Sequence, residues 1–257
     1  MDDAIPRAAR PVLSEAELER RRGRPWTLVV TDSARVSPRM LRLGLTAQSL
    51  NGFEPKPAQE IVLQIPQAAG EPARRHYTIR RFDRAHQRIE VDFLLHGHGT
   101  PGERWALEAK PGASIDIRGP RGRIALSPAA EWQLFSGDET AMPAILALLE
   151  ALPPGAKAKA FIEIGSDAER MLPAANSAAV TWLTRGGAPA APNTILADAV
   201  AAFTLPAGRG HAIILGETSG VRAIRHALLA RGLTREQIYS EGYWRPDRIG
   251  GHDHVED

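Results

Sequence analysis

Residues Arg74 to Phe82 read RRHYTIRRF, four arginines crowded around an alternating apolar run. The pattern is too charged for a buried strand and too regular for a loop. Arginine presents a planar fork that matches phosphate and carboxylate, so the chemistry on offer is anion recognition. Two further stretches place small and acidic residues between a strand and a helix start. These are Gly137, Asp138, Glu139 and Thr140 in LFSGDETAMPAI, and Gly216, Glu217, Thr218 and Ser219 in IILGETSGVRAI. Free N–H groups and the helix dipole make such starts anion sites by default, and Pro143 is compatible with a first helical turn. Two strand-to-helix turns of one open parallel sheet converge at its carboxyl edge, where dinucleotides bind. Neither turn is a G-x-G-x-x-G or phosphate-loop sequence, and a glycine turn with an Asp or Thr cap accounts for each equally well.

Other chemistries find less support. His96 and His98 lie two apart, as do His252 and His254, but no third ligand pattern accompanies either pair, so no metal site is expected. The chain has no cysteine, which excludes disulfides, thiolate-held clusters and cysteine nucleophiles. Any redox chemistry therefore rides on an organic cofactor. No G-x-S-x-G elbow occurs. The net charge is +2, with only Lys56, Lys110, Lys157 and Lys159 among 32 basic residues that are otherwise arginine. Without a long basic run, nucleic acid is not expected as a partner. No long apolar segment and no leader-like segment is found, so a cytoplasmic protein without stable membrane association is expected.

The elements that must position these residues fall into two textures. Residues 1–25 read as an appended arm whose S-x-x-E box, Ser14 to Glu17, opens a short helix. From Trp26 onward come short alternating runs, WTLVVTD, MLRLGLT, EIVLQIP, HYTIRRF and RIEVDFLLH, divided by Pro, Gly, Asn and Asp. They predict an antiparallel barrel or strongly bent sheet over residues 26–123. Beyond the boundary near Arg118 to Ser127, strands alternate with helices. EWQLFSGDET, AKAFIEIG, AVTWLTRG, GHAIILGE and QIYSEGYW read as strands. AMPAILALLEAL reads as an amphipathic helix, and helices also fall around NTILADAVAAF and SGVRAIRHALLARG. This spacing predicts a parallel-sheet α/β domain over residues 124–257. Ile145, Leu148, Leu149 and Leu152 form a stripe at helical spacing that reads as core.

RHYTIRRFD, VDFLLHGHGTPGERWA, SGDETAMPAI, VTWLTRGG and GYWRPDR, in this order over Trp26 to Arg248, resemble the siderophore-interacting proteins. These are flavin-dependent ferric-siderophore reductases of the ferredoxin-reductase superfamily. The resemblance implies a six-stranded-type FAD-binding barrel followed by a nicotinamide-binding α/β domain. It implies that Arg75, Tyr77 and Thr78 form the flavin strand, with Arg75 toward pyrophosphate, Tyr77 on the isoalloxazine and Thr78 near flavin N5. Alternation puts Arg75, Tyr77 and Ile79 on one face and His76, Thr78 and Arg80 on the other. Arg80 is expected to support the flavin or the acceptor site, and Arg74, Arg81 and Arg84 to be surface charges.

By the same resemblance His96 stands beside the flavin, and the helix start at Thr100, Arg104 and Trp105 forms a pyrophosphate cradle. There the family reads Gly-Pro-Ala-Ser where this chain reads Thr100, Pro101, Gly102, Glu103. A glutamate facing phosphate is repulsive unless it turns away. Thr78 and His96 are the residues placed at the reacting ring. Trp244 is expected to approach the flavin, Arg245, Arg248 and Lys56 to attract an anionic ferric chelate, and Arg185 or Arg209 to read the extra phosphate of NADPH. The implied activity is reduction of a ferric siderophore by NADPH or NADH through FAD, in a monomer, with an external ferredoxin as another donor. Two alternatives stand beside it: a flavin reductase for another acceptor, and a non-catalytic flavin or siderophore carrier.

Overall fold

The computed structural model describes residues 23–176, 179–248 and 253–255. The predicted arm helix, and the pair His252 and His254, lie outside the described residues or side chains.

Six strands close into an antiparallel barrel in the order β1-β2-β5-β4-β3-β6. They are β1 (Pro25–Ser37), β2 (Met40–Thr46), β3 (Glu60–Ile65), β4 (Ala73–Asp83), β5 (Arg88–Leu94) and β6 (Ser114–Arg121). A period of two fills the interior: Leu28 and Val30, Leu43 and Leu45, Ile61 and Leu63, Ile89, Val91 and Phe93, and Ile115 and Ile117 are all essentially inaccessible. Strand β6 was not among the five sequence runs, although its own Ile115 and Ile117 alternate. Closing the barrel on β1 and β3 removes both edges. Between β5 and β6 the chain makes helix α1 (Pro101–Glu108), with Pro in its first turn.

The β4–β5 pairing contains one extra residue. Ile79 faces Val91 and Arg81 faces Glu90, which leaves Arg80 in a bulge. A bulge re-aims the side chain it carries, and the consequence is seen at the site.

The second half is a sheet in the order β12-β11-β10-β7-β8-β9. Its strands are β7 (Trp132–Gly137), β8 (Ala158–Ile164), β9 (Val180–Thr184), β10 (Gly210–Glu217), β11 (Ile238–Trp244) and the two-residue β12 (Asp253–His254). Strands β7 to β11 are parallel, and β12 adds antiparallel to β11. The chain enters at the central β7, runs outward through β8 and β9, then returns to β10 beside β7. The topological switch point therefore lies between β7 and β10. The crossovers include α2 (Met142–Ala151), α3 (Ile195–Ala202) and α4 (Thr218–Ala230).

Helix α2 was expected to be amphipathic, yet Met142 to Leu149 are buried without interruption. Its core cluster includes Met40 of the barrel together with Phe135, Ile162 and Ile213 of the sheet. A helix packed between a sheet and a second layer has no solvent face to keep polar. Helices α3 and α4 cover the opposite face with Val200, Val221, Ile224 and Leu228. Among the described residues no helix is long and apolar enough to cross a membrane.

Candidate functional site

Strand β4 reaches the sheet half at a cleft of about 170 Å³, lined by Arg75, His76, Tyr77 and Thr78, by Glu60, Asp92, Leu94 and His96, by Met40, and across the gap by Glu139, Thr140, Pro143 and Tyr243. Arg75 donates one N–H to the Arg74 carbonyl at 2.9 Å and pairs with no carboxylate among the described residues. Its fork is open to a ligand. The neighbouring acids are already engaged: Glu60 holds His76 at 2.8 Å and Arg121 at 3.2 Å, and Asp92 takes a two-pronged bond from Arg42.

The Tyr77 ring packs on Phe93 at 4.2 Å between centroids. Its hydroxyl lies against Gly102 in the first turn of α1, where a Cβ would come within 2.0 Å of it. Glycine at 102 is what lets the strand and this helix meet. Burial pushes the Tyr77 hydroxyl well up, so it stays protonated. Thr78 and Tyr243, near the end of β11, both line the cleft, which brings the barrel strand to the sheet edge. His96 lies beside His98, with ring centroids 5.1 Å apart. Burial holds its imidazole below the usual value, outweighing the pull of Glu103, so it is neutral near pH 7.

The α1 start is not an open cradle. Glu103 is 4% exposed, and its two carboxylate oxygens accept from the Gly97 N–H at 2.7 Å and the Gly99 N–H at 3.0 Å. Arg104 is exposed, while Thr100 and Trp105 sit partly buried and do not line the cleft. The glutamate thus turns inward onto its own loop.

The two sheet turns are filled in the same manner. Asp138 accepts from Thr140 N–H at 2.8 Å, from the Thr140 hydroxyl, from Glu217 N–H at 2.9 Å and from the Trp244 indole at 2.8 Å. Burial raises its pKa in spite of those bonds. Gly216, at φ 123°, stands where a Cβ would meet the Asp138 carboxylate at 2.6 Å. Glu217 caps α4 by accepting from Gly220 N–H at 2.8 Å. The default anion sites expected at Gly137 to Thr140 and Gly216 to Ser219 therefore already hold carboxylates of the chain itself.

Behind Glu139 lies a buried ion cluster. Arg185, with its side chain 4% exposed, bonds Glu139 at 2.8 Å and Glu163 at 2.9 Å. Arg39, on the hairpin between β1 and β2, bonds Glu169 at 2.7 Å and also Glu139. Burial pushes the Glu139 carboxyl up, but Arg185 and then Arg39 outweigh it and hold it below the usual range. For Glu163 burial wins, and its pKa is raised. Glu163, Asp138, Asn193 and Glu217 also line a small crevice of about 30 Å³ at the switch point.

The sequence assignments divide accordingly. Arg75, Tyr77, Thr78, His96, Glu139 and Thr140 meet at the cleft. Asp138 and Glu217 line the crevice instead. Arg80 is a correction: the bulge turns it onto α2, where it bonds both oxygens of Glu150 at 2.7 and 2.6 Å. Arg185 is another, since its terminal nitrogens are held by buried carboxylates rather than offered to a nucleotide phosphate. Gly137 and Gly216 shape the backbone around Asp138, and Trp244 is anchored by it. Lys56, Arg245 and Arg248 are exposed and stand outside the cleft lining. Met40, Glu60, Asp92, Leu94 and Tyr243 line the cleft without having been assigned to it. Tyr243 had a signal in its place beside Trp244, whereas the others come from strands whose inward pattern reads as ordinary barrel. Among the described residues no group of three or more His, Asp or Glu could hold a metal ion.

Comparison with known proteins gives two family models. Residues 55–124 match a siderophore-interacting FAD-binding domain, and residues 130–247 match a model described as siderophore-interacting protein. The ferric vibriobactin reductase ViuB of Vibrio cholerae is 32% identical over 233 residues, covering 82% of this chain and 85% of that protein. A siderophore utilization protein from T. fusca superposes with TM-score 0.83 at 32% identity, over 91% of this chain and 97% of the other. The siderophore-interacting protein SipS from Aeromonas hydrophila gives TM-score 0.75 at 29% identity, over 88% and 94%.

Proposed function

Because the chain belongs to the siderophore-interacting protein family, we propose that it is a flavin-dependent ferric-siderophore reductase. The observation that carries the reading is the cleft itself: β4 presents Arg75, Tyr77 and Thr78 together at a cavity between barrel and sheet, and among the described residues no carboxylate pairs with the Arg75 fork. Tyr77 and Tyr243 give the cleft aromatic surface and its other lining groups are mostly polar, which suits a planar heteroaromatic ring with a polar edge.

In this reading Tyr77 walls the ring, Thr78 and the β4 backbone offer hydrogen bonds along its edge, and Arg75 attracts the negative part of the cofactor or of the chelate. Neutral His96 supplies a polar, uncharged boundary. Bound FAD supplies the conversion between a two-electron hydride donor and the single electrons that Fe(III) accepts. Siderophore oxygens hold Fe(III) as hard ligands, and loss of charge on reduction weakens those bonds, so Fe(II) is released. The donor is a nicotinamide nucleotide approaching the carboxyl edge at the switch point. The crevice there carries three carboxylates, and Arg185 is unavailable to read a 2′-phosphate, which favours NADH over NADPH.

The test is titration of the purified chain with FAD, followed by flavin fluorescence and visible absorption. Saturable binding that weakens about tenfold in Arg75→Ala supports the site, the size expected for one charge-assisted bond. No uptake of FAD would overturn it. NADH oxidation that depends on added ferric siderophore then separates a reductase from a carrier.

A further inference from the structure

The loop from β5 into α1 carries a buried negative charge of unusual support. Glu139, Glu163, Glu169 and Asp92 are buried acids that each rest on an arginine. Glu103 is equally buried, but its oxygens rest on the backbone N–H groups of Gly97 and Gly99, and its ionisable neighbour is the His96 ring at 3.3 Å. Gly97 and Gly99 adopt φ of 79° and 59°, and their amides take the two oxygens of one carboxylate, as in a backbone anion nest. Burial pushes the Glu103 carboxyl up, yet the amides of Gly97, Gly99 and Thr100 outweigh it and hold its pKa below the usual carboxylate range, so the group is ionised. The first turn of α1 adds its dipole to the same point.

This nest adjoins the cleft. His96 lines the cleft and touches Glu103, and Tyr77 lines it with its hydroxyl over Gly102. Convergent amides at a helix start beside a ring-sized cavity are what a diphosphate attached to that ring would use, and here they are taken. For a diphosphate to reach them, Glu103 must give up both bonds, or two like charges must share one poorly solvated point.

We propose that Glu103 is an internal competitor for the cofactor's diphosphate, and that it sets how strongly this chain prefers FAD over a flavin without phosphate. The proposal rests on the flavin reading above and deepens it. The ring contacts and Arg75 carry the affinity, and the diphosphate adds less than the loop amides would give it if Glu103 were not in place. FAD is then held as an exchangeable partner rather than as a permanently bound group.

The experiment is calorimetric titration of FAD and of riboflavin into the full chain and into Glu103→Gln and Glu103→Ser. The glutamine keeps an acceptor for one loop amide and removes the charge; the serine frees both amides. Both variants are expected to bind FAD about tenfold more tightly while riboflavin affinity stays within about twofold, since one like charge is removed from the diphosphate position alone. An unchanged or smaller ratio of FAD to riboflavin affinity would overturn the proposal. Parallel loosening of both flavins would overturn it too, because it would assign Glu103 to holding the loop. If the wild-type chain takes up neither flavin, the functional reading fails first, and that result is distinct from a ratio that does not move.

Discussion

On the barrel side of the cleft, Arg75 gives one N–H to a neighbouring carbonyl and holds no carboxylate among the described residues. Across the gap, Arg185 is committed to Glu139 and Glu163. Arg75 keeps its positive charge available to a ligand, and Arg185 uses its own to neutralise buried acids. Binding energy toward an anion is thereby placed on β4, and structural energy on the sheet edge. Residue type alone does not separate the two, since both are arginines near the same cleft. What separates them is whether the fold brings a carboxylate to them.

The largest effect should come from the committed side. Arg185→Ala leaves Glu139 and Glu163 buried without their shared partner and is expected to cost about 3–5 kcal/mol in urea unfolding. A loss below about 1 kcal/mol would show that the cluster is hydrated and contributes little.

The same variant sharpens the comparison through pH. Glu139 has a lowered pKa in the fold, so its contribution is complete above the unfolded value near 4.3 and is lost as pH falls through the lower folded value. Glu163 is raised, so it favours the fold more as pH falls. Removing Arg185 leaves Glu139 with Arg39 alone, which weakens the first effect, and strengthens the second. The acid limb of stability against pH should therefore be shallower in the variant than in wild type, and a parallel limb would contradict the assignment.

Next in size is Asp138→Asn. The amide would face four donors with one acceptor oxygen, breaking the link from β7 to Glu217 and Trp244, at about 2–3 kcal/mol. Guanidinium melts are the check.

Smallest in stability is Arg75→Ala, expected within about 0.5 kcal/mol of wild type because the side chain is partly exposed and, among the described residues, joins no ion pair. Its effect belongs to ligand affinity. If it unfolds the protein as Arg185→Ala does, the contrast between the two sides fails.

Much of this was readable from sequence for a local reason. Barrel strands alternate, parallel strands are continuous apolar runs, and Pro and Gly mark their ends, so nearly every element has its own signal. That Arg75, Tyr77 and Thr78 would share one cleft was legible because they are neighbours in the chain. Arg80 was misassigned because alternation assumes regular pairing, and the bulge opposite Val91 and Glu90 appears only when β5 is in place. Arg185 was misassigned because its partners lie 46 and 22 residues away. Glu103 stood out in sequence as an anomaly, but only the fold reveals that it turns onto the Gly97 and Gly99 amides. Helix α2 looked amphipathic because nothing local announces that the barrel covers its outer face.

The most direct test of the central claim is anaerobic. The chain, loaded with FAD and bleached by NADH, is mixed with a ferric siderophore and a ferrous-specific chromophoric chelator. The account predicts that flavin absorbance returns as about two ferrous equivalents appear per flavin, the balance of two electrons against one-electron iron. Flavin that stays bleached while no ferrous complex forms would contradict it.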